Sequence, residues 1–141
     1  MKPFFDTSVL VAAVLEEHEH HEPSFSALAA ANRTSSFCAA HNLAEVYATL
    51  TRYPGKQRLS EEQALLALSV LERKLTIVAL ESSEYLDAIR RFAALGIIGA
   101  TIYAGLIAAC ALKAKADALY TWNTGHFLLL GEDVAKRVRT P

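Results

Sequence analysis

Lys2-Pro3-Phe4-Phe5-Asp6-Thr7-Ser8-Val9-Leu10-Val11-Ala12-Ala13-Val14-Leu15 decides how the rest of the chain is read. A short apolar run is closed by a carboxylate, then by two hydroxyl residues and a second, longer apolar run. The pattern predicts a buried strand over residues 2–5 and a helix capped by Thr7 or Ser8 and running to about residue 17. Asp6 then stands at the carboxyl end of a strand, where open α/β sheets collect their ligands. An ionised carboxylate among apolar residues is costly unless a cation or several hydrogen bonds compensate it. Asp6 is therefore the first candidate for a functional group.

Outward from this stretch, strand-like and helical segments alternate. Pro23 suits the first turn of a short helix to about residue 31. Residues 34–38 read as a strand and 41–53 as a helix stopped by Pro54-Gly55. Ser60-Glu61-Glu62-Gln63 has the capping-box pattern and opens a helix to about residue 74. A strand at 76–80, helices at 83–95 and 101–114, and a strand at 118–121 follow; 128–130 and 138 are weaker strand candidates. No linker, repeat or low-complexity tract interrupts the series. The alternation predicts a single α/β domain over residues 1–141, with a central, mainly parallel sheet flanked by helices. Asn123, two residues past the 118–121 strand, falls on the same rim of the sheet as Asp6.

A chain of 141 residues, 52% hydrophobic and 21% charged, is large enough for one well-packed core. Its net charge of −1 supplies no global field for nucleic acid, so any basic surface has to be local. Cys38 and Cys110 are isolated, without metal-like spacing, and read as buried, reduced thiols. An Asp inside the first apolar stretch costs about 3 kcal/mol in membrane insertion, which argues against a signal segment. Glu16 and Glu17 end that stretch short of a transmembrane length. A cytoplasmic protein with no membrane contact is expected.

In the helix at 41–53, Leu43, Val46, Tyr47 and Leu50 share one apolar stripe at about 100° per residue. Glu45 points away from it, with His41 and Arg52. Taken alone this is a solvated face; the other reading is a carboxylate aimed at a cleft over the sheet, beside the small Ala44 and Ala48.

Three motifs in order carry a resemblance. Phe5-Asp6-Thr7-Ser8-Val9-Leu10, Leu43-Ala44-Glu45-Val46-Tyr47, and Leu119-Tyr120-Thr121-Trp122-Asn123 with Gly125-His126-Phe127 resemble the motifs of PIN-domain ribonucleases, and among them the VapC toxins of bacterial toxin–antitoxin pairs. The resemblance spans about residues 2–130. It implies a PIN fold and an acid cluster holding one or two Mg²⁺ or Mn²⁺ ions for endonucleolytic cleavage of RNA. Asp6 corresponds to the first acid and Glu45 to the second, both as metal ligands. Asn123 takes a fourth position that relatives fill with Asp or Asn, as a weak or outer ligand orienting water. The resemblance also implies a small VapB-like antitoxin that wraps the toxin, and a homodimer.

The third acid of such proteins belongs in the first turn of the helix that reads here Thr101-Ile102-Tyr103-Ala104-Gly105-Leu106. Its place is taken by Ala104. With Thr101 as cap, 104 is the third helical residue, where a carboxylate would also suit the positive end of the helix dipole. Thr101 to Leu112 contains no charge, so this helix is expected to be buried nearly all round. Phosphodiester hydrolysis needs an in-line water, an activated nucleophile and neutralised charge, which carboxylate-held divalent ions supply. Mg²⁺ accepts one or two protein carboxylates, so Asp6 and Glu45 still suit a metal, held more weakly. The expectation is an impaired enzyme, by engineered or natural substitution.

Other features have plainer readings. His18, His20 and His21 near Pro23 read as a solvated turn. His41 and His126 suit structural hydrogen bonds, or phosphate contact. Arg52, Lys56 and Arg58 around Tyr53-Pro54-Gly55 form a local basic turn, with Lys136, Arg137 and Arg139 a weaker one. Leu65, Leu66, Leu68, Val70 and Leu71 give one helix more apolar surface than a small domain easily covers, as core or as a groove for a partner helix. Two other functions fit parts of the pattern. A non-catalytic PIN-like protein would bind RNA or an antitoxin without turnover. An aspartyl-phosphate enzyme with Asp6 as nucleophile usually needs an acid two residues later, where this chain has Ser8.

Overall fold

A computed structural model describes residues 1–141. Five short strands form one sheet: β1 (Pro3–Phe5), β2 (Phe37–Ala39), β3 (Thr76–Val78), β4 (Ala118–Tyr120) and β5 (Val138–Arg139). Their order is β3-β2-β1-β4-β5, and every pair is parallel, with Phe4 opposite both Phe37 and Leu119. Eight helices connect them: α1 (Thr7–Val14), α2 (His21–Ala29), α3 (Ala40–Arg52), α4 (Glu61–Lys74), α5 (Ser82–Ala94), α6 (Thr101–Lys113), α7 (Thr124–Leu128) and α8 (Glu132–Ala135). The predicted α/β architecture with a parallel sheet is the one observed.

Because side chains alternate along a strand, adjacent residues of β1 seed two cores. Phe4, with Ala39 and Leu119, packs against α5, α6 and α7 through Phe92, Ile107 and Phe127. Phe5, with Cys38, packs against α1, α3 and α4 through Leu10, Leu50 and Leu71. The sheet is thus covered on both faces, as an all-parallel sheet requires. Both cysteines are buried, Cys38 in β2 and Cys110 in α6, and burial pushes their thiols up to about 12 (Cys38) and about 11 (Cys110). They are protonated and unreactive at neutral pH. No helix is long and apolar enough to cross a membrane.

Several local expectations change. The first helix ends at Val14, not near residue 17, and Asp6 rather than Thr7 or Ser8 occupies its N-cap position. The strand expected at 34–38 starts only at Phe37. Asn32 Oδ1 accepts from Thr34 N, Thr34 Oγ1 and Ser35 Oγ, which folds that segment into a turn. Residues 128–130 are not a strand; Leu128 closes α7, whereas the weak candidate at 138 belongs to the edge strand β5. The capping box at Ser60 is present, with Gln63 N donating to Ser60 Oγ and Ser60 N to Gln63 Oε1. On α4, Leu71 is buried, while Leu65, Leu66 and Val70 are exposed.

Helix α6 is not buried all round. Its burial begins at Gly105, and its first turn, with Tyr103 half-exposed, is open. Gly105 lets α6 approach α5 closely: a Cβ there would sit 2.7 Å from Phe92 Cδ2, a side chain with no exposed surface. Gly105→Ala is therefore expected to destabilise the fold by about 1–3 kcal/mol through overpacking, despite the better helix propensity of alanine. Urea unfolding checks this. Phe92→Leu in the same chain should recover part of the loss, because it removes the ring that the new methyl meets.

Candidate functional site

Asp6 leaves β1 while its backbone is still held in the sheet, its N–H donating to Tyr120 O at 3.0 Å. Its side chain does not cap α1 and is turned to the sheet rim, where the residue is only 4% exposed. Oδ2 accepts from Ser8 Oγ at 2.9 Å and from Thr121 Oγ1 at 2.8 Å. Each hydroxyl is itself held by the chain beyond β4: Trp122 N donates to Ser8 Oγ, and Asn123 N to Thr121 Oγ1, both at 2.9 Å. Burial raises the Asp6 pKa above its ordinary value, and the nearby charge of Glu45 pushes the same way. The Thr121 and Ser8 hydrogen bonds oppose this. Both hydroxyls fall on one oxygen, leaving Oδ1 without a side-chain donor.

Glu45 comes from α3 and is set by a relay. Thr7 Oγ1 donates to Glu45 Oε1 at 2.7 Å, and Asn42 Nδ2 donates to Thr7 Oγ1 at 2.9 Å. The fully buried Asn42 is fixed in turn by Ala39 N, which donates to its Oδ1 at 2.7 Å. On the other side, His41 Nε2 lies 3.5 Å from Glu45 Oε2. The His41 ring stacks on Tyr103, with centroids 5.5 Å apart.

Asp6, Glu45, Ala104 and Asn123 all line one cleft of about 840 Å³. Ala104 is the fourth residue of α6, since the helix starts at Thr101 with Ala100 at the cap position. The expected third place is off by one residue, and the position remains in the first turn. His126 lines the cleft, and Tyr53 brings the basic turn to its edge, with Arg58 Nε donating to Tyr53 O at 2.9 Å. The segment carrying His18 and His20 is not simply a solvated turn, since both residues line the cleft. The His20 ring lies against Trp122 with centroids 3.8 Å apart and planes within 9°. His21 Nδ1 pairs with Ala12 O at 2.8 Å.

Four contributors were not singled out in the sequence as supports of the acids: Ser8, Asn42, Thr121 and Trp122. Ser8 and Thr121 adjoin site residues, which is a usable signal. Asn42 gave one too, as a polar residue of the third helical position, where side chains reach back to the chain before the helix.

No group of three or more His, Cys, Asp or Glu side chains is arranged to hold a metal. Of the acids lining the cleft, Asp6, Glu19 and Glu45, it is Glu45 whose charge reaches Asp6, and this pair supplies oxygen donors of the kind that suits Mg²⁺ or Mn²⁺. A buried carboxylate with a raised pKa, a second carboxylate whose charge reaches it and an oxygen clear of hydroxyl donors fit such an ion, with fewer ligands than a full acid cluster. Ser8, two residues after Asp6, carries no carboxyl group for aspartyl-phosphate chemistry, and its hydroxyl is taken up by Asp6 and Trp122.

The family model for the PIN domain matches residues 4–128. The chain belongs to the PIN-domain family. No curated protein matches it by sequence. Among solved structures, this PIN domain is similar to VapC20 of Mycobacterium tuberculosis, a sarcin–ricin loop cleaving toxin. The TM-score is 0.71 at 15% identity, over 88% of this chain and 92% of that one. VapBC2 of Rickettsia felis, bound to a DNA fragment from its promoter, gives 0.67 at 19% identity, over 99% and 98% of the two chains. FitAcB of Neisseria gonorrhoeae gives 0.64 at 19%, over 99% and 97%. At such identities the likeness is one of fold.

Proposed function

We propose that this PIN domain is a toxin-type endoribonuclease dependent on Mg²⁺ or Mn²⁺, and that Ala104 leaves it impaired. The observation that carries the reading is the meeting of Asp6 from the end of β1 and Glu45 from α3 in one cleft, with Ala104 and Asn123 on its wall. Asp6 and Glu45 would hold the ion. When bound, it would neutralise phosphate charge and favour ionisation of an attacking water. The chain's own residues do the positioning: Ser8 and Thr121 fix the Asp6 carboxylate, and Asn42 and Thr7 fix Glu45. Asn123, anchored through its backbone N–H, is assigned to orienting water. The test is cleavage of labelled RNA by this chain and by Ala104→Asp, each with Mg²⁺, with Mn²⁺ and with chelator.

A VapB-like antitoxin and a second copy of the chain are the proposed partners. The fold neighbours VapBC2 and FitAcB support the first by their composition as named. The exposed Leu65 and Leu66 of α4, 58% and 69% accessible, support an apolar contact of either kind. One observation favours a second reading, a non-catalytic binder of RNA or antitoxin: no three metal-ligating side chains come together. That reading predicts RNA binding without turnover even in Ala104→Asp.

Arg52 and Lys56 are exposed on the turn whose Tyr53 lines the cleft, whereas Arg58 is tied to the turn itself. Reversing both free charges, Arg52→Glu with Lys56→Glu, is expected to weaken binding of a 20-nucleotide RNA by about tenfold at low salt and less at high salt. Filter binding at two salt concentrations measures it, and an unchanged affinity removes the turn from the RNA path.

A further inference from the structure

The cleft has an unusual charge balance for a nucleic-acid site. Asp6, Glu19 and Glu45 line it, and no lysine or arginine does. Without a bound ion, phosphate pairing inside it is therefore weak, and attraction has to come from elsewhere. What the walls offer is aromatic surface. Tyr103 on α6 and Trp122 after β4 line the cleft, each stacked by a histidine, and Trp122 is also partly buried against the core around Phe5 and Leu10. His41 backs Tyr103, which is still 50% exposed. His20 backs Trp122, whose indole Nε1 also donates to Ser24 Oγ at 2.9 Å. Rings held in this way lose little freedom when a planar ligand settles on them. Planar, uncharged surface on rigid rings, beside carboxylates, suits nucleobases rather than phosphates.

Resting on the ribonuclease reading, we propose that the cleft takes unpaired RNA bases by stacking on Tyr103, beside Trp122, so that stacking on this ring sets affinity there. Bases already paired and stacked in a helix offer no free face to this ring. The basic turn at Arg52 and Lys56 meets the backbone only outside the cleft, which separates a stacking region from a charge-pairing one.

Trp122 is the single tryptophan of the chain, so its fluorescence follows this wall of the cleft, read against an RNA-free baseline in the same chelator or Mg²⁺ buffer. The probe is the trinucleotide ApApA, short enough to stay within the cleft, titrated in chelator and again in Mg²⁺. It is expected to quench Trp122, and its affinity should fall less than about threefold between 50 and 200 mM salt, the loss for a single phosphate contact. An abasic trimer of equal charge and a blunt RNA duplex of about 12 base pairs should leave the signal unchanged. Tyr103→Ala and Tyr103→Leu are expected to lose about tenfold to a hundredfold in affinity, and Tyr103→Phe to stay within about twofold. Undiminished binding by Tyr103→Ala and Tyr103→Leu overturns the proposal, as does a salt loss beyond tenfold or equal binding of the abasic trimer. In those cases cleavage by Ala104→Asp would still stand. Failure of every RNA to bind, the 20-nucleotide strand included, overturns both readings.

Discussion

Ala104→Asp is expected to raise metal-dependent RNA cleavage by at least about a hundredfold, the scale on which one well-placed electrostatic contributor acts in a closed site. Position 104 is in the first turn of α6 and opens on the cleft that holds Asp6 and Glu45. A carboxylate there would add a third hard oxygen ligand and would stand at the positive end of the helix dipole. It would also add a like charge beside the other two, so the metal-free variant should melt below the parent chain. Mg²⁺ should raise the melting temperature of the variant more than that of the parent, because the ion binds only the folded state. Equal cleavage by the two proteins would refute the assignment of Ala104 as the missing acid. RNA binding without cleavage by both would favour the non-catalytic reading.

The second large effect concerns Asp6 and has opposite signs for activity and for stability. Asp6→Asn, made in the Ala104→Asp chain, should abolish metal-dependent cleavage, leaving less than about a hundredth of the rate. The same change in the parent chain should stabilise the fold at neutral pH by about 1–2 kcal/mol. The Asp6 pKa is raised in the folded state, chiefly by burial, so the native protein binds this proton more tightly than the unfolded chain. Its favourable contribution is complete below the ordinary value of 3.8 and is lost as pH rises through the raised one. Above that window the ionised carboxylate is a liability, which an amide of the same shape removes. Urea unfolding should therefore show the two chains nearly equal in acid and diverging as pH rises. A variant less stable than the parent at neutral pH would contradict this. Added Mg²⁺ should narrow the difference by stabilising the parent alone.

The architecture was legible in the sequence because it rests on local periodicity: short β-branched or aromatic runs, amphipathic helices and turn residues in alternation. The pairing of β5 with β4 shows the limit, since two residues at 138 and 139 carry almost no pattern of their own. Boundaries failed where side chains compete with the backbone, as Asn32 does when it turns the segment expected to enter β2. Of the site, Asp6 and Asn123 followed from strand ends and topology, and Glu45 and Ala104 from motif resemblance. Their supports were hidden because they act between distant stretches. Asn42 reaches Thr7 across 35 residues, and Thr121 reaches Asp6 across 115. The stacking of His20 on Trp122 is equally non-local, and it turned an apparently solvated histidine segment into part of the cleft wall.

The paired hydroxyls on Asp6 Oδ2 tie two events together. Ser8 and Thr121 spend their protons on the carboxylate and their lone pairs on the amides of Trp122 and Asn123. A cation that drew electron density from this carboxylate would weaken it as an acceptor, and the change would pass through both hydroxyls to the peptide units at 122 and 123. Occupation of Asp6 by a cation would thus be coupled to the posture of the indole at the rim. An ion arriving at Asp6 should register in the emission of Trp122 before any nucleic acid is present.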